Sequence, residues 1–138
     1  MVKITDSILQ RNGRSGIEQM EDTHAIIIGC SVKENVLDGV GLWGNARAKV
    51  ARCSILRNHL SGILLANESS LELFHSEVSR NSLGVTIYTK SCGFPKGSQT
   101  FAGSVVGKGN YIYDNSREDL CPSYPSKPWP KGFLKEGT

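Results

Sequence analysis

The chain has 138 residues, with 16 lysines and arginines against 13 aspartates and glutamates, a net charge of +3. That length is one domain, and the charge is too mild to argue for nucleic acid. No stretch approaches the ~20 apolar residues of a membrane helix. Met1-Val2-Lys3-Ile4 enters an alternating pattern at once, without an apolar run of signal-peptide length. The chain is therefore expected to be soluble with no membrane partner, cytoplasmic as given or a trimmed secreted domain.

A repeat runs through the chain from its start. Asp6–Ile17 reads D-S-I-L-Q-R-N-G-R-S-G-I, Cys30–Val40 reads C-S-V-K-E-N-V-L-D-G-V, Cys53–Ile63 reads C-S-I-L-R-N-H-L-S-G-I, and Ser76–Val85 reads S-E-V-S-R-N-S-L-G-V. Asn12, Asn35, Asn58 and Asn81 follow one another at steps of 23; Gly16, Gly39 and Gly62 keep the step, and Gly84 falls one short. A fixed period of this size is the signature of a stacked repeat. Within a unit, Val40 and Leu42, Ala48 and Val50, and Cys53 and Ile55 are apolar at spacing two, which predicts three short strands per repeat. Coils stacked about 4.8 Å apart would align equivalent side chains in columns. The expected inward columns are Ile17, Val40, Ile63 and Val85; Ile8, Val32, Ile55 and Val78; and Leu37, Leu60 and Leu83. Gly13 and Ser15 are read as lengthening the first turn by one residue.

The asparagines predict a hydrogen-bonded ladder, because a buried Asn without partners costs roughly 1–3 kcal/mol. Ordinary turn chemistry is the alternative. The next Asn in register is Asn115, 34 residues after Asn81 and so one period plus eleven. The extra residues fall near Thr89–Gly103, whose Gly, Pro and Ser content indicates a loop. Outward positions Ile28, Ala51 and Phe74 form an apolar stripe, read as a subunit contact or as the seat of a covering segment. Cys30 and Cys53 stack in one column with Ser76 and are read as buried free thiols, although a bridge between them is conceivable. A Cys92–Cys121 bridge is possible in an oxidising compartment. From Leu120 onward the chain carries four of its five prolines, interleaved with Tyr124, Trp129 and Phe133. That composition predicts an extended cap. The chain thus divides into coils at 1–120, with an insertion near 89–103, and a cap or tail at 121–138.

The units Val32–Leu42 (V-K-E-N-V-L-D-G-V-G-L) and Ile55–Leu65 (I-L-R-N-H-L-S-G-I-L-L) resemble the right-handed parallel β-helix repeat of the pectin-lyase-like superfamily. The resemblance covers roughly residues 3–120. It implies an all-β solenoid of about five 23-residue coils. It also implies a place among polysaccharide lyases, glycoside hydrolases, uronan epimerases, phage tailspikes and non-catalytic binding modules. A leucine-rich repeat fits less well, since its L-x-x-L-x-L-x-x-N pattern is absent.

Enzymes of that superfamily carry their acids and bases on the outer face of the strand after the repeat glycine, or in adjoining loops. The equivalent residues here are Glu18, Gly41, Leu64 and Thr86. One carboxylate in four coils makes neither an acid–base pair nor a calcium site. The D-P-H, N-T-D, D-D and G-H-G signatures are absent, and only Arg47-Ala48-Lys49 matches an R-x-K element. No catalytic residue, metal ligand or cofactor site is expected. Trp43 and Tyr88 occupy equivalent places two coils apart, about 10 Å along the axis. With Asn45, Glu68 and Asp22 at the adjoining turn they could bind a sugar chain; the alternative is packing under the inserted loop. Arg52, His75 and Glu77 form a second candidate polar cluster. The expected function is a non-catalytic module that binds oligosaccharide or polysaccharide, or that assembles into a homo-oligomer. The alternatives are a fragment or minimal form of a polysaccharide-acting enzyme (lyase, hydrolase or epimerase) and a structural unit of a fibre or tailspike.

Overall fold

The computed structural model describes residues 1–136. Strands β1 (Val2–Thr5), β2 (Ile8–Gln10) and β3 (Ile17–Gln19) make the first coil. The second holds β4 (His24–Ile28), β5 (Ser31–Lys33) and β6 (Val40–Leu42), and the third β7 (Arg47–Ala51), β8 (Ser54–Leu56) and β9 (Ser61–Leu65). The fourth holds β10 (Ser70–Phe74), β11 (Glu77–Ser79) and β12 (Leu83–Ile87). After the insertion come β13 (Ser104–Lys108), β14 (Tyr111–Tyr113) and β15 (Glu118–Cys121). Every pairing is parallel. The first sheet runs β1-β4-β7-β10-β13, the second β14-β11-β8-β5-β2 and the third β15-β12-β9-β6-β3. The chain completes four turns between β1 and β13 and continues through β14 and β15. This is the all-β solenoid that the repeat predicts.

The core is a set of columns. Ile27, Val50 and Leu73 stack from the first sheet, Val32, Ile55, Val78 and Ile112 from the second, and Val40, Ile63, Val85 and Leu120 from the third. Two expected columns need correction. Ile8 pairs with Ser31 and is exposed, and Leu9, opposite Val32, points inward. Asn12 to Gly16 spans the same four steps as Asn35 to Gly39, so the first turn is not longer. Leu37 and Leu60 are not in the core either. They sit in the turn between Asn and Gly, where Leu60 N–H bonds the Leu37 carbonyl (2.9 Å) and Leu37 N–H bonds the Arg14 carbonyl (3.0 Å). Their side chains stand outside the third sheet, and Leu60 is 44% exposed. Leu83 alone is buried, because the shortened coil begins β12 there. Ile28, Ala51 and Phe74 do share one register, with Ala51 buried and the other two half-buried.

The asparagine ladder is present. Nδ2 of Asn12, Asn35, Asn58 and Asn81 donates in turn to Oδ1 of the next Asn, at 2.8, 2.8, 3.0 and 3.1 Å. The same oxygen accepts the preceding Asn backbone N–H. The ladder ends on a carboxylate: Asn115 Nδ2 and N–H both donate to Asp119 Oδ1, at 2.9 and 3.1 Å. The repeat glycine is a consequence of this packing. A Cβ on Gly39 would lie 2.6 Å from the Gly62 carbonyl oxygen and 2.8 Å from Asn58 Nδ2. The coils approach too closely beside the ladder for any side chain.

A second ladder joins Cys30 N–H to Cys53 Sγ (3.4 Å), Cys53 N–H to Ser76 Oγ (3.2 Å) and Ser76 N–H to Asn110 Oδ1 (3.0 Å). Both thiols are free and buried. Burial pushes the Cys53 thiol up from its ordinary value, which makes it a packing residue and not a nucleophile. Asn110 Nδ2 then donates to the Phe133 carbonyl at 3.0 Å, tying the tail to the last coil. Phe133 and Trp129 stack with ring centroids 5.4 Å apart and join the core, so the Pro–aromatic segment does cap the solenoid. Cys92 and Cys121 form a disulfide with 5.8 Å between their Cα atoms.

Candidate functional site

The alternation of β3 turns Gln19 inward and Glu18 outward, and parallel register continues the outward column as Gly41, Leu64, Thr86 and Cys121. Gly41 is the informative member. A Cβ there would lie 3.4 Å from Trp43 Nε1 and 3.8 Å from Asp38 Oδ2. The bare glycine leaves a notch, with an indole N–H on one side and a carboxylate on the other. Around it lies a cavity of about 330 Å³, walled by Leu37, Leu60 and Leu64 on the aliphatic side and by Trp43, Tyr88 and Phe94 on the aromatic side. Glu18, Asp38, Arg14 and Arg117 supply its charges.

Asp38 corrects the expectation of a single carboxylate. It occupies the place before the repeat glycine, where neighbouring coils carry Ser15 and Ser61. Its Oδ1 accepts the Ser61 N–H at 3.0 Å, and Ser15 Oγ accepts the Asp38 N–H at 3.3 Å. The residue is only 7% exposed. Burial pushes its carboxyl up from 3.8 to about 6; the Ser61 hydrogen bonds pull the other way, and the nearby Glu18 charge adds to the rise. Glu18 is paired at 4.0 Å with Arg14, whose side chain lies largely in solvent. Two carboxylates from adjacent coils thus share one cavity in unequal surroundings. The sequence carries a signal for Asp38, as a carboxylate between Ser15 and Ser61, but only once the coils are stacked.

Trp43 and Tyr88 both line this cavity, but not at the expected separation. Their rings meet edge to face, 5.0 Å between centroids. The place between them in the column is Ala66, which is buried and small, so the two large rings converge over it. Phe94, from the insertion, packs on Tyr88 at 4.8 Å. The aromatic residues therefore form one continuous wall. Asp22, Asn45 and Glu68 do not reach it. They line a separate polar cavity of about 350 Å³ at the turn between the third and first sheets, together with Arg47. There Asn45 Nδ2 donates to Asp22 Oδ1 at 2.9 Å, which makes the pair an inter-coil rung.

Arg52 and His75 stand side by side on adjacent coils, with Glu77 two residues beyond His75. Arg52 and His75 occupy successive left-handed bends with φ of 49° and 50°, and both are exposed. Glu77 instead accepts the Tyr113 hydroxyl. Among the described residues the ion pairs are Arg11–Glu34 and Arg14–Glu18. No group of three or more His, Cys, Asp or Glu among the described residues could hold a metal ion. No helix among them is long and apolar enough to cross a membrane.

Fold and cavity together define a parallel β-solenoid with an amphipathic cleft on the outer face of its third sheet. The family model for the right handed beta helix region matches residues 1–118, and the chain belongs to that family. No curated protein and no solved structure matches it.

Proposed function

We propose that the protein is a β-helix module that binds a saccharide in the third-sheet cleft. The observation that carries this reading is the aromatic wall of Trp43, Tyr88 and Phe94 facing Glu18 and Asp38 across the bare backbone of Gly41. A sugar ring has a face of C–H groups that packs on aromatic rings. Its hydroxyl edge donates to carboxylates and accepts from an indole N–H. A mostly apolar concavity with a few convergent polar groups is the ordinary form of a small-ligand site. Titration calorimetry against neutral and uronic oligosaccharides tests it. Trp43→Ala should abolish binding of whichever sugar binds, while Asp22→Asn and Glu68→Gln, in the other cavity, should leave it unchanged. Equal losses from all three variants would sink the assignment to this cleft.

A second reading is glycoside hydrolysis. It is favoured by one specific feature, a buried carboxyl pushed up to about 6, that of Asp38, beside the exposed carboxylate of Glu18. Unequal carboxyl groups in one site are what an acid paired with a base or nucleophile requires. Release of new reducing ends, lost in Asp38→Asn with binding retained, would establish it. Binding without turnover at any pH from 4 to 8 would leave the module non-catalytic.

A further inference from the structure

The far wall of the cleft is not built by the repeat. Phe94 belongs to the insertion, and Arg117 to the coil that follows it. The hydrogen bonds made by residues 89–98 all close within residues 87–98: Cys92 N–H on the Thr89 carbonyl (3.1 Å), Gly93 N–H on Lys90 (3.1 Å), Phe94 N–H on Thr89 (3.2 Å) and Lys90 N–H on Ser98 (3.1 Å) among them. Those bonds give the loop a shape and tie it only to its own stem, at Ile87 and Tyr88 where β12 ends, and to no other coil. The fastening is covalent. Cys92 is bonded to Cys121, and Cys121 lies in the outward column of the third sheet, directly beyond Thr86. The disulfide therefore sits at the end of the cleft floor, two residues before the ring that closes the aromatic wall. Gly93 turns the chain there in the left-handed region (φ 89°), beside Arg117 Nη2.

We propose that this disulfide is a redox latch on the cleft: oxidised, it holds Phe94 against Tyr88, and reduced, it lets the 89–98 loop swing away and open the site. The idea deepens the saccharide reading of the same cleft and rests on it for its biological sense. The reductant is a dithiol. Its thiolate attacks one sulfur of the bridge to give a mixed disulfide, and its second thiol closes on the first. Cys92 and Cys121 are left as thiols with the two electrons and two protons of the dithiol, which ends as its own disulfide. Cys92 and Cys121 are 7% and 8% exposed, so attack is restricted but not sealed off.

The test uses the full chain carrying Trp129→Phe, which leaves Trp43 as the sole tryptophan. Acrylamide quenching of its fluorescence is compared before and after dithiothreitol, with hydrogen exchange of residues 89–98 followed in parallel. The latch requires quenching to rise about twofold or more and loop exchange to quicken, while the amides of β6 and β9 stay protected, since a local opening leaves the core closed. Cys92→Ser/Cys121→Ser should behave like the reduced protein. If that variant or the Trp129→Phe background does not fold, exchange on the reduced wild-type chain gives the answer alone. Unchanged loop exchange in the reduced, folded protein overturns the latch. So does exchange of the β6 and β9 amides as fast as that of the loop in the reduced protein, which would make the opening global and not local. An opened loop in a protein that binds no oligosaccharide in either state would sustain the latch and reject the saccharide reading.

Discussion

The regular coils through Gly84 and the interrupted coil beyond it solve the same problem by different means. In the regular part, each buried polar group finds its partner one period away, as Asn58 does with Asn35 below and Asn81 above. Past Gly84 the period fails, and single-use devices replace it: the Asp119 carboxylate at the ladder's end, the Cys92–Cys121 bridge, and the Asn110 bond to the tail at Phe133. Repetition supplies the stability of the solenoid, and its interruption supplies the far wall of the cleft. Near the other end of that cleft, chemistry enters by a quieter departure, an Asp between two serines.

The largest effect should come from breaking a rung inside the regular part. Asn58→Ala removes the acceptor of the Asn35 N–H and Nδ2 and the donor to the Val32 carbonyl and to Asn81. Two or more buried groups are then orphaned, at 1–3 kcal/mol each, so a loss of about 3–5 kcal/mol is expected from urea unfolding. Asp119→Ala, at the ladder's end and on an exposed residue, should cost only about 1 kcal/mol. Equal costs would mean that the ladder is not cooperative along its length. Next in size is the covalent closure. Cys92→Ser/Cys121→Ser opens a loop of sequence separation 29, for which chain entropy gives about 3–4 kcal/mol. The thermal midpoint measured with and without reductant checks it, and the variant should no longer respond to reductant.

Asp38 tests whether the cleft is kept at the expense of stability. Its folded pKa, about 6, lies above its ordinary 3.8, so the protonated form binds the fold better. Stability from this group is fully present below pH 3.8 and is lost as pH rises through about 6. Asp38→Asn keeps an acceptor for the Ser61 N–H without the charge. It should stabilise the protein by up to about 3 kcal/mol at pH 8, the gain shrinking to nothing by pH 4. A pH-independent difference would show that the carboxylate is not desolvated. A gain in stability accompanied by lost ligand binding, or by lost turnover with binding retained, is the signature of a functional carboxylate and not a structural one.

How much of this the letters disclose depends on whether the constraint is periodic. The asparagine ladder is legible because a buried amide needs a partner one step away, and the step can be counted. Register within a coil is less secure when letters mislead. Ser7-Ile8-Leu9 matches Ser54-Ile55-Leu56 by eye, yet the ladder sets Leu9, not Ile8, beside Val32. Side-chain direction in turns is not periodic at all, which is why Leu37 and Leu60 are misread as core. The cleft needs three things that no spacing states: rings converging over Ala66, a notch at Gly41, and Phe94 folded back by a loop.

The smallest effect separates backbone from side chain at the bends. Asp6, Gly29, Arg52, His75 and Gly109 form one column between the first and second sheets, all with positive φ, from 49° to 69°. Such a conformation costs a non-glycine residue roughly 1–2 kcal/mol. Gly29 and Gly109 already carry the residue that suits it, and Arg52 and His75 do not. Since His75 is exposed and makes no ion pair with Glu77, His75→Gly should relieve the strain, offset in part by greater freedom in the unfolded chain. A net gain of about 0.5 kcal/mol is expected in urea unfolding, with no change in ligand binding. A loss instead would mean that the His75 ring, packed against Gly109 and 6.5 Å from Phe74, contributes more than the bend costs. That outcome would move His75 from the list of strained bends to the contacts that join the regular coils to the interrupted one.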